Sequence, residues 1–171
     1  MSQLAITVKS KAVRDYYEAL RGLEAQDVRH ELGLRRAFEA LLVACAREVG
    51  WTFIAEQTLP NGKRPDGVLQ DAFHIRRGYW EAKDTTDDLA VETRKKIDAK
   101  YPTLNTIFED TRRALLYQGE RLAYTADLTQ PGQLVNLLTL FFGYTEPQIE
   151  SFERAVAAFK DRIPELAEGL L

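Results

Sequence analysis

At Gly50 the hydrophobic rhythm of the chain changes, and that change limits the fold more than any other feature. Before it, residues 29–49 carry Leu34, Phe38, Leu41, Leu42 and Cys45 on one helical stripe, with Arg35, Arg36, Arg47 and Glu48 outside the stripe. Gly50 is a natural helix stop. After it, residues 51–59 (WTFIAEQTL) are aromatic and β-branched and read as a strand. A chain that switches from helical to strand periodicity within one continuous stretch must pack helices against a sheet.

The flanking segments extend this pattern. Residues 11–26 place Val13, Tyr16, Tyr17, Leu20 and Leu23 at helical spacing, behind a loose lead-in of residues 1–10. Asn61-Gly62 signals a turn. Residues 66–70 and 75–82 read as two strands around a short turn, and 87–99 as a helix begun by Asp87 and Asp88. Further strands are predicted at 104–109, 113–118 and 121–127, the last two joined by a Gln118-Gly119-Glu120 turn. Pro131 suits the first turn of a helix over 131–142, and a final helix spans about 146–161 and beyond Pro164. Helices, then strands with an inserted helix, then helices predict an α/β fold: a central mixed β-sheet flanked by helices on both sides.

Composition narrows the function. A length of 171 residues with 45% hydrophobic content fits one domain with its own core. Lys and Arg number 23 against 26 Asp and Glu, a net charge of −3, so nucleic acid is not held by bulk charge and any contact needs a local patch. One cysteine excludes an intramolecular disulfide framework, and two histidines, His30 and His74, leave little for a His-based metal site. No apolar run approaches the roughly 18 residues that span a bilayer, and no signal peptide is read. The expected setting is a reducing cytoplasm, with no membrane partner.

The informative residues are Arg64-Pro65-Asp66-Gly67 and Gly78-Tyr79-Trp80-Glu81-Ala82-Lys83-Asp84. Residues two apart on a strand share a face, so Glu81 and Lys83 project together and Ala82 points away. If the two strands pair as a hairpin, Asp66 lies beside Glu81, and two carboxylates and one ammonium converge at one sheet end. That trio suits phosphodiester cleavage. Two carboxylates, helped by the backbone carbonyl of Ala82, can hold Mg²⁺, which takes oxygen ligands and keeps several waters. The ion lowers the pKa of a bound water and offsets charge on the leaving oxygen. Lys83 can orient the water or stabilise the negative transition state.

The trio resembles the PD-(D/E)xK nuclease superfamily: Pro65-Asp66, then Glu81-Ala82-Lys83, with the acids 15 positions apart. A longer stretch, HELGLRRAFEALL at 30–42, RPDGVL, GYWEAKD and the strand pair near LLYQGERL, resembles the N-terminal nuclease domain of single-chain restriction-modification proteins. The resemblance implies a restriction-endonuclease-like fold over a core of about 28–145. It implies Asp66, Glu81 and Lys83 as catalytic residues, with Glu31 opening the helix as a further acid and Arg35 following it. Glu39 is the competing helix acid, because the residues after Glu31 depart from the family pattern, as does Arg64 where the family has Ala. The implied cofactor is Mg²⁺, with Mn²⁺ as substitute, and the implied substrate is DNA. Residues 146–171 are expected to lead to a following domain, Leu166, Leu170 and Leu171 lacking a partner. The implied whole is a restriction-modification enzyme with covalently linked helicase or methyltransferase parts.

Plainer readings stand beside these. Glu81 and Lys83 can form a surface ion pair worth about 0–1 kcal/mol. A non-catalytic DNA-binding domain on the same fold, or a stand-alone repair or phage-defence nuclease, uses the same residues. Asp84 reads as a helix cap or an ion-pair partner. His30 and His74 read as surface residues, Cys45 as a buried hydrophobe, and Trp51, Tyr79 and Trp80 as core. Arg76-Arg77, Arg94-Lys95-Lys96 and Lys100 read either as a solvated face or as phosphate contacts. Tyr117-Gln118 falls at a strand end that can approach the site.

Overall fold

Six strands form one sheet in the order in which the chain makes them. The computed structural model describes residues 2–26 and 31–168, with side chains described for 2–26 and 32–164. The strands are β1 (Thr52–Ala55), β2 (Gly67–Gln70), β3 (Arg76–Ala82), β4 (Asn105–Glu109), β5 (Arg113–Gln118) and β6 (Arg121–Asp127). The helices are α1 (Lys11–Ala25), α2 (Glu31–Val49), α3 (Leu89–Asp98), α4 (Pro131–Gly143) and α5 (Pro147–Glu168). All neighbours pair antiparallel except β3 and β4, which run parallel. A parallel pair needs a crossover, and α3 supplies it. The α/β expectation holds in element order and in sheet type.

Local chemistry explains most boundaries. Gly50 ends α2 with φ +75°, a conformation costly to residues with a Cβ. The Asp88 side chain accepts from the Ala90 and Val91 N–H groups and caps α3. Asp84 is not that cap; it accepts from the Thr86 N–H within the preceding turn. Gly119 and Glu120 both have positive φ, the geometry of the two-residue hairpin turn that suits twisted strands. The strand predicted over 51–59 stops at Ala55, because Glu56 turns to φ 52° and its N–H reaches the Asp66 carbonyl.

The larger core lies between α1, α2 and α4 and one face of the sheet. Phe38 stacks on Trp80 at 5.9 Å between centroids, and Tyr16 meets Phe38 edge-on at 5.8 Å. Ile107, Leu116, Leu134, Leu137 and Phe141 complete this layer, all fully buried. Leu4 also joins it, so the lead-in is partly anchored. Trp51, Trp80 and Cys45 are buried as expected, Tyr79 is half-buried, and His74 is exposed. His30 lies outside the described residues, as do the side chains of Leu166, Leu170 and Leu171. No described helix is long and apolar enough to cross a membrane.

Two sequence readings of polar residues fail. Arg77 is not on a solvated face: it is buried and paired with Asp71 and Glu153, tying the β2–β3 hairpin to α5. Strand alternation sends one of two adjacent arginines inward, and a partner carboxylate makes that position tolerable. Gln118 is also placed elsewhere. It pairs in register with Asn105 at the start of β4, whereas Asp66 and Glu81 sit at the other end of the sheet, beside Glu109.

Candidate active site

The β2–β3 register sets the site. Gly67 pairs with Trp80, so the next step outward brings Asp66 beside Glu81. The Asp66 N–H donates to Glu81 Oε2 at 3.3 Å, and Asp66 Oδ2 accepts from the Ala82 N–H at 2.8 Å. Lys83 Nζ lies 3.3 Å from Glu81 Oε1. Asp66, Glu81, Ala82 and Lys83 are therefore together at one sheet end. Glu31 opens α2, but its side chain lies outside the described ones. Among the described contacts none joins Glu39 to Asp66 or Glu81, whereas Arg35, one turn earlier, reaches the site.

Cations ring the two acids. Arg35 Nη2 lies 2.6 Å from Asp66 Oδ1 while its guanidinium covers the Trp80 ring at 5.9 Å. Lys96 Nζ, from α3, lies 2.6 Å from Glu81 Oε1. In the sequence Lys96 sits in a charged run that reads either as a solvated face or as phosphate contacts, and the structure instead turns it onto Glu81. The missed signal is helical spacing: Lys96 falls on the stripe of Leu89 and Thr93, both buried. Glu56 is a further carboxylate at the rim, held by Arg35 at 3.5 Å and Arg64 at 3.2 Å.

The electrostatics follow from crowding. Burial, then the neighbouring Glu81, raises the Asp66 pKa above its ordinary value, against the Ala82 N–H and Arg35, which lower it. Burial lowers the Lys83 pKa, and nearby Lys96 adds to that, while Glu81 opposes it. Burial also works against the charge on Lys96, but its bonds to Glu81 and Tyr101 outweigh burial and raise its pKa. Glu109, across from Ala82 on β4, is pushed up to about 8 by burial, although Thr111 and Trp80 donate to it.

The donor set is hard oxygen: two carboxylates and the adjacent Ala82 carbonyl. No group of three or more His, Cys, Asp or Glu side chains suited to a metal occurs among the described residues. Two carboxylates still fit Mg²⁺, which commonly keeps waters and takes substrate phosphate as ligands. They do not fit zinc, which favours thiolate and imidazole.

No family model matches the chain, and no curated protein matches it. Among solved structures it is similar to a chain in a cryo-EM structure of the DrdV–DNA complex, with 38% identity and a TM-score of 0.78. The match covers 92% of this chain and 16% of that one. The fold is restriction-endonuclease-like. In this restriction-endonuclease-like sheet Pro65-Asp66 leads into β2 and Glu81-Ala82-Lys83 ends and follows β3, so the two segments meet at one end of neighbouring strands. The chain spans a minor part of the matched one, which is much longer.

Proposed function

We propose that the chain is an Mg²⁺-dependent endonuclease domain that hydrolyses DNA phosphodiester bonds, the cleavage module of a restriction-modification enzyme. The observation that carries this reading is the Asp66–Glu81 pair with Lys83 Nζ 3.3 Å from Glu81. Asp66, Glu81 and the Ala82 carbonyl would hold the metal, with Glu31 as a further acid. When bound, Mg²⁺ supplies an activated water and offsets charge on the phosphoryl and leaving oxygens. Asp66 and Glu81 would hold the ion at the sheet end. Lys83 donates a hydrogen bond to the attacking water or to a non-bridging oxygen, where negative charge grows. The water oxygen bonds to phosphorus and gives up a proton to solvent, the bond from phosphorus to the leaving oxygen breaks, and the leaving oxygen takes up a proton from solvent.

The similarity to a chain of a DNA complex supports DNA as the substrate, and the share of that chain matched supports a role as one part of a longer protein. Helicase or methyltransferase parts would follow α5, in the cytoplasm. The exposed Phe152, Phe159 and Ile163 side chains on α5 suit a junction with such a part. The test is conversion of supercoiled plasmid to nicked or linear DNA with Mg²⁺ or Mn²⁺. Cleavage should stop with chelator and with Asp66→Asn. No cleavage under any metal, with DNA binding retained, would make this a non-catalytic DNA-binding domain.

A further inference from the structure

Two ammonium groups share one carboxylate oxygen. Glu81 Oε1 lies 3.3 Å from Lys83 Nζ and 2.6 Å from Lys96 Nζ, and the Glu81 side chain is only 5% exposed. The lysines differ in anchorage. Lys83 follows β3 directly, next to Ala82. Lys96 enters from α3, whose first turn is fixed by the Asp88 cap. Lys96 also has a second partner beside Glu81: its ammonium donates to the Tyr101 hydroxyl at 3.1 Å and lies 4.2 Å from the centroid of that ring. An aromatic face with a hydroxyl can retain an ammonium that leaves its carboxylate.

We propose that Lys96 is a built-in counter-ion that competes with the divalent metal for Glu81 and withdraws toward Tyr101 when the metal binds. This rests on the reading of Asp66 and Glu81 as metal ligands. A divalent ion and an ammonium on the same buried oxygen repel each other, and salt screens buried pairs little. Metal uptake therefore displaces one of the two lysines. Lys96 is the one with the alternative partner, so it is a positioning residue that sets metal affinity. Lys83 stays for the chemistry.

The test is Mn²⁺ binding to the full 171-residue chain without DNA, by calorimetry and by the loss of free-Mn²⁺ paramagnetic signal. Lys96→Met should tighten Mn²⁺ binding about tenfold, the scale on which groups surrounding a metal site alter its affinity. Lys96→Arg keeps the charge and should leave binding near wild type. Tyr101→Leu removes the second partner and should weaken binding. Opposite shifts from Lys96→Met and Tyr101→Leu are not expected of residues that only support the fold. Thermal unfolding checks that each variant is folded, with Lys96→Gln replacing a variant that is not. Unchanged or weaker binding in Lys96→Met, with Asp66→Asn abolishing binding, would overturn the competition while leaving the metal site intact. Equal tightening by Lys96→Arg would also overturn it. Wild-type binding by both Asp66→Asn and Glu81→Gln would instead remove the metal-site reading itself.

Discussion

Burial and the neighbouring Glu81 work against the charge on Asp66, while the Ala82 N–H and Arg35 support it. Asp66→Asn retains an oxygen for the Ala82 N–H, and Glu81→Gln and Lys83→Met alter side chains at the sheet end rather than in the apolar core. Each is expected to lower metal-supported cleavage by about 10²-fold or more. Each should move the unfolding midpoint by less than roughly 5 °C. Wild-type cleavage by all three would place the chemistry elsewhere. These residues were legible because strand alternation pairs 81 with 83 and the hairpin register brings 66 beside 81. Lys96 and Arg77 were not, since a charged run looks the same in sequence whether its members face water or a buried carboxylate. Cys45 gives a check of burial. Its thiol is fully buried and pushed up to about 12, chiefly by burial and then by Glu48. Native protein should therefore resist a thiol-specific reagent between pH 7 and 9, while denatured protein reacts. Rapid native labelling would show that the α2 stripe is open.

At the scale of elements, the order of helices and strands was readable because the period changes sharply and the breaks carry Gly, Pro or a capping Asp. Strand ends were less so: β1 ends where Glu56 adopts positive φ, which no strand propensity announces. Close approach between elements was also hidden. Gly78 is flush against α4, where an added Cβ would lie 2.5 Å from Phe141 Cζ and 3.1 Å from Asn105 Nδ2. Phe141 is fully buried and Asn105 holds the Arg77 and Phe141 carbonyls, so neither yields readily. Gly78→Ala is expected to cost about 1–3 kcal/mol by overpacking. Gly22, within α1, has no atom within 4 Å of such a Cβ. Gly22→Ala should stabilise by about 0.4–1 kcal/mol. Denaturant unfolding of the two variants measures the contrast. Equal effects would mean that α4 does not press on β3 as described.

For the whole molecule, charge decides how DNA is met. The net charge is −3, so attraction to phosphate cannot come from the bulk of the surface. Several cations are already engaged: Arg35 with Asp66, Lys83 and Lys96 with Glu81, Arg77 with Asp71 and Glu153. Exposed Arg94, Lys100, Arg112 and Arg113 remain for phosphate contacts, and Arg112 and Arg113 lie at the turn that follows Glu109. No zinc finger or recognition helix for reading bases is evident in the sequence. Residues 1–171 should therefore bind random duplex DNA with a Kd of about 10⁻⁴–10⁻⁶ M at physiological salt. If two to four phosphates are neutralised, log K should fall with log salt at a slope of about −2 to −4. Fluorescence anisotropy of a labelled duplex across a salt series measures both quantities. Arg112→Ala with Arg113→Ala should flatten the slope by about one to two, because each lost phosphate contact removes about one unit. Nanomolar, sequence-dependent binding by this chain alone would mean that base reading is built into the sheet or its loops. The proposed cleavage would then not depend on another part of a longer protein to deliver DNA.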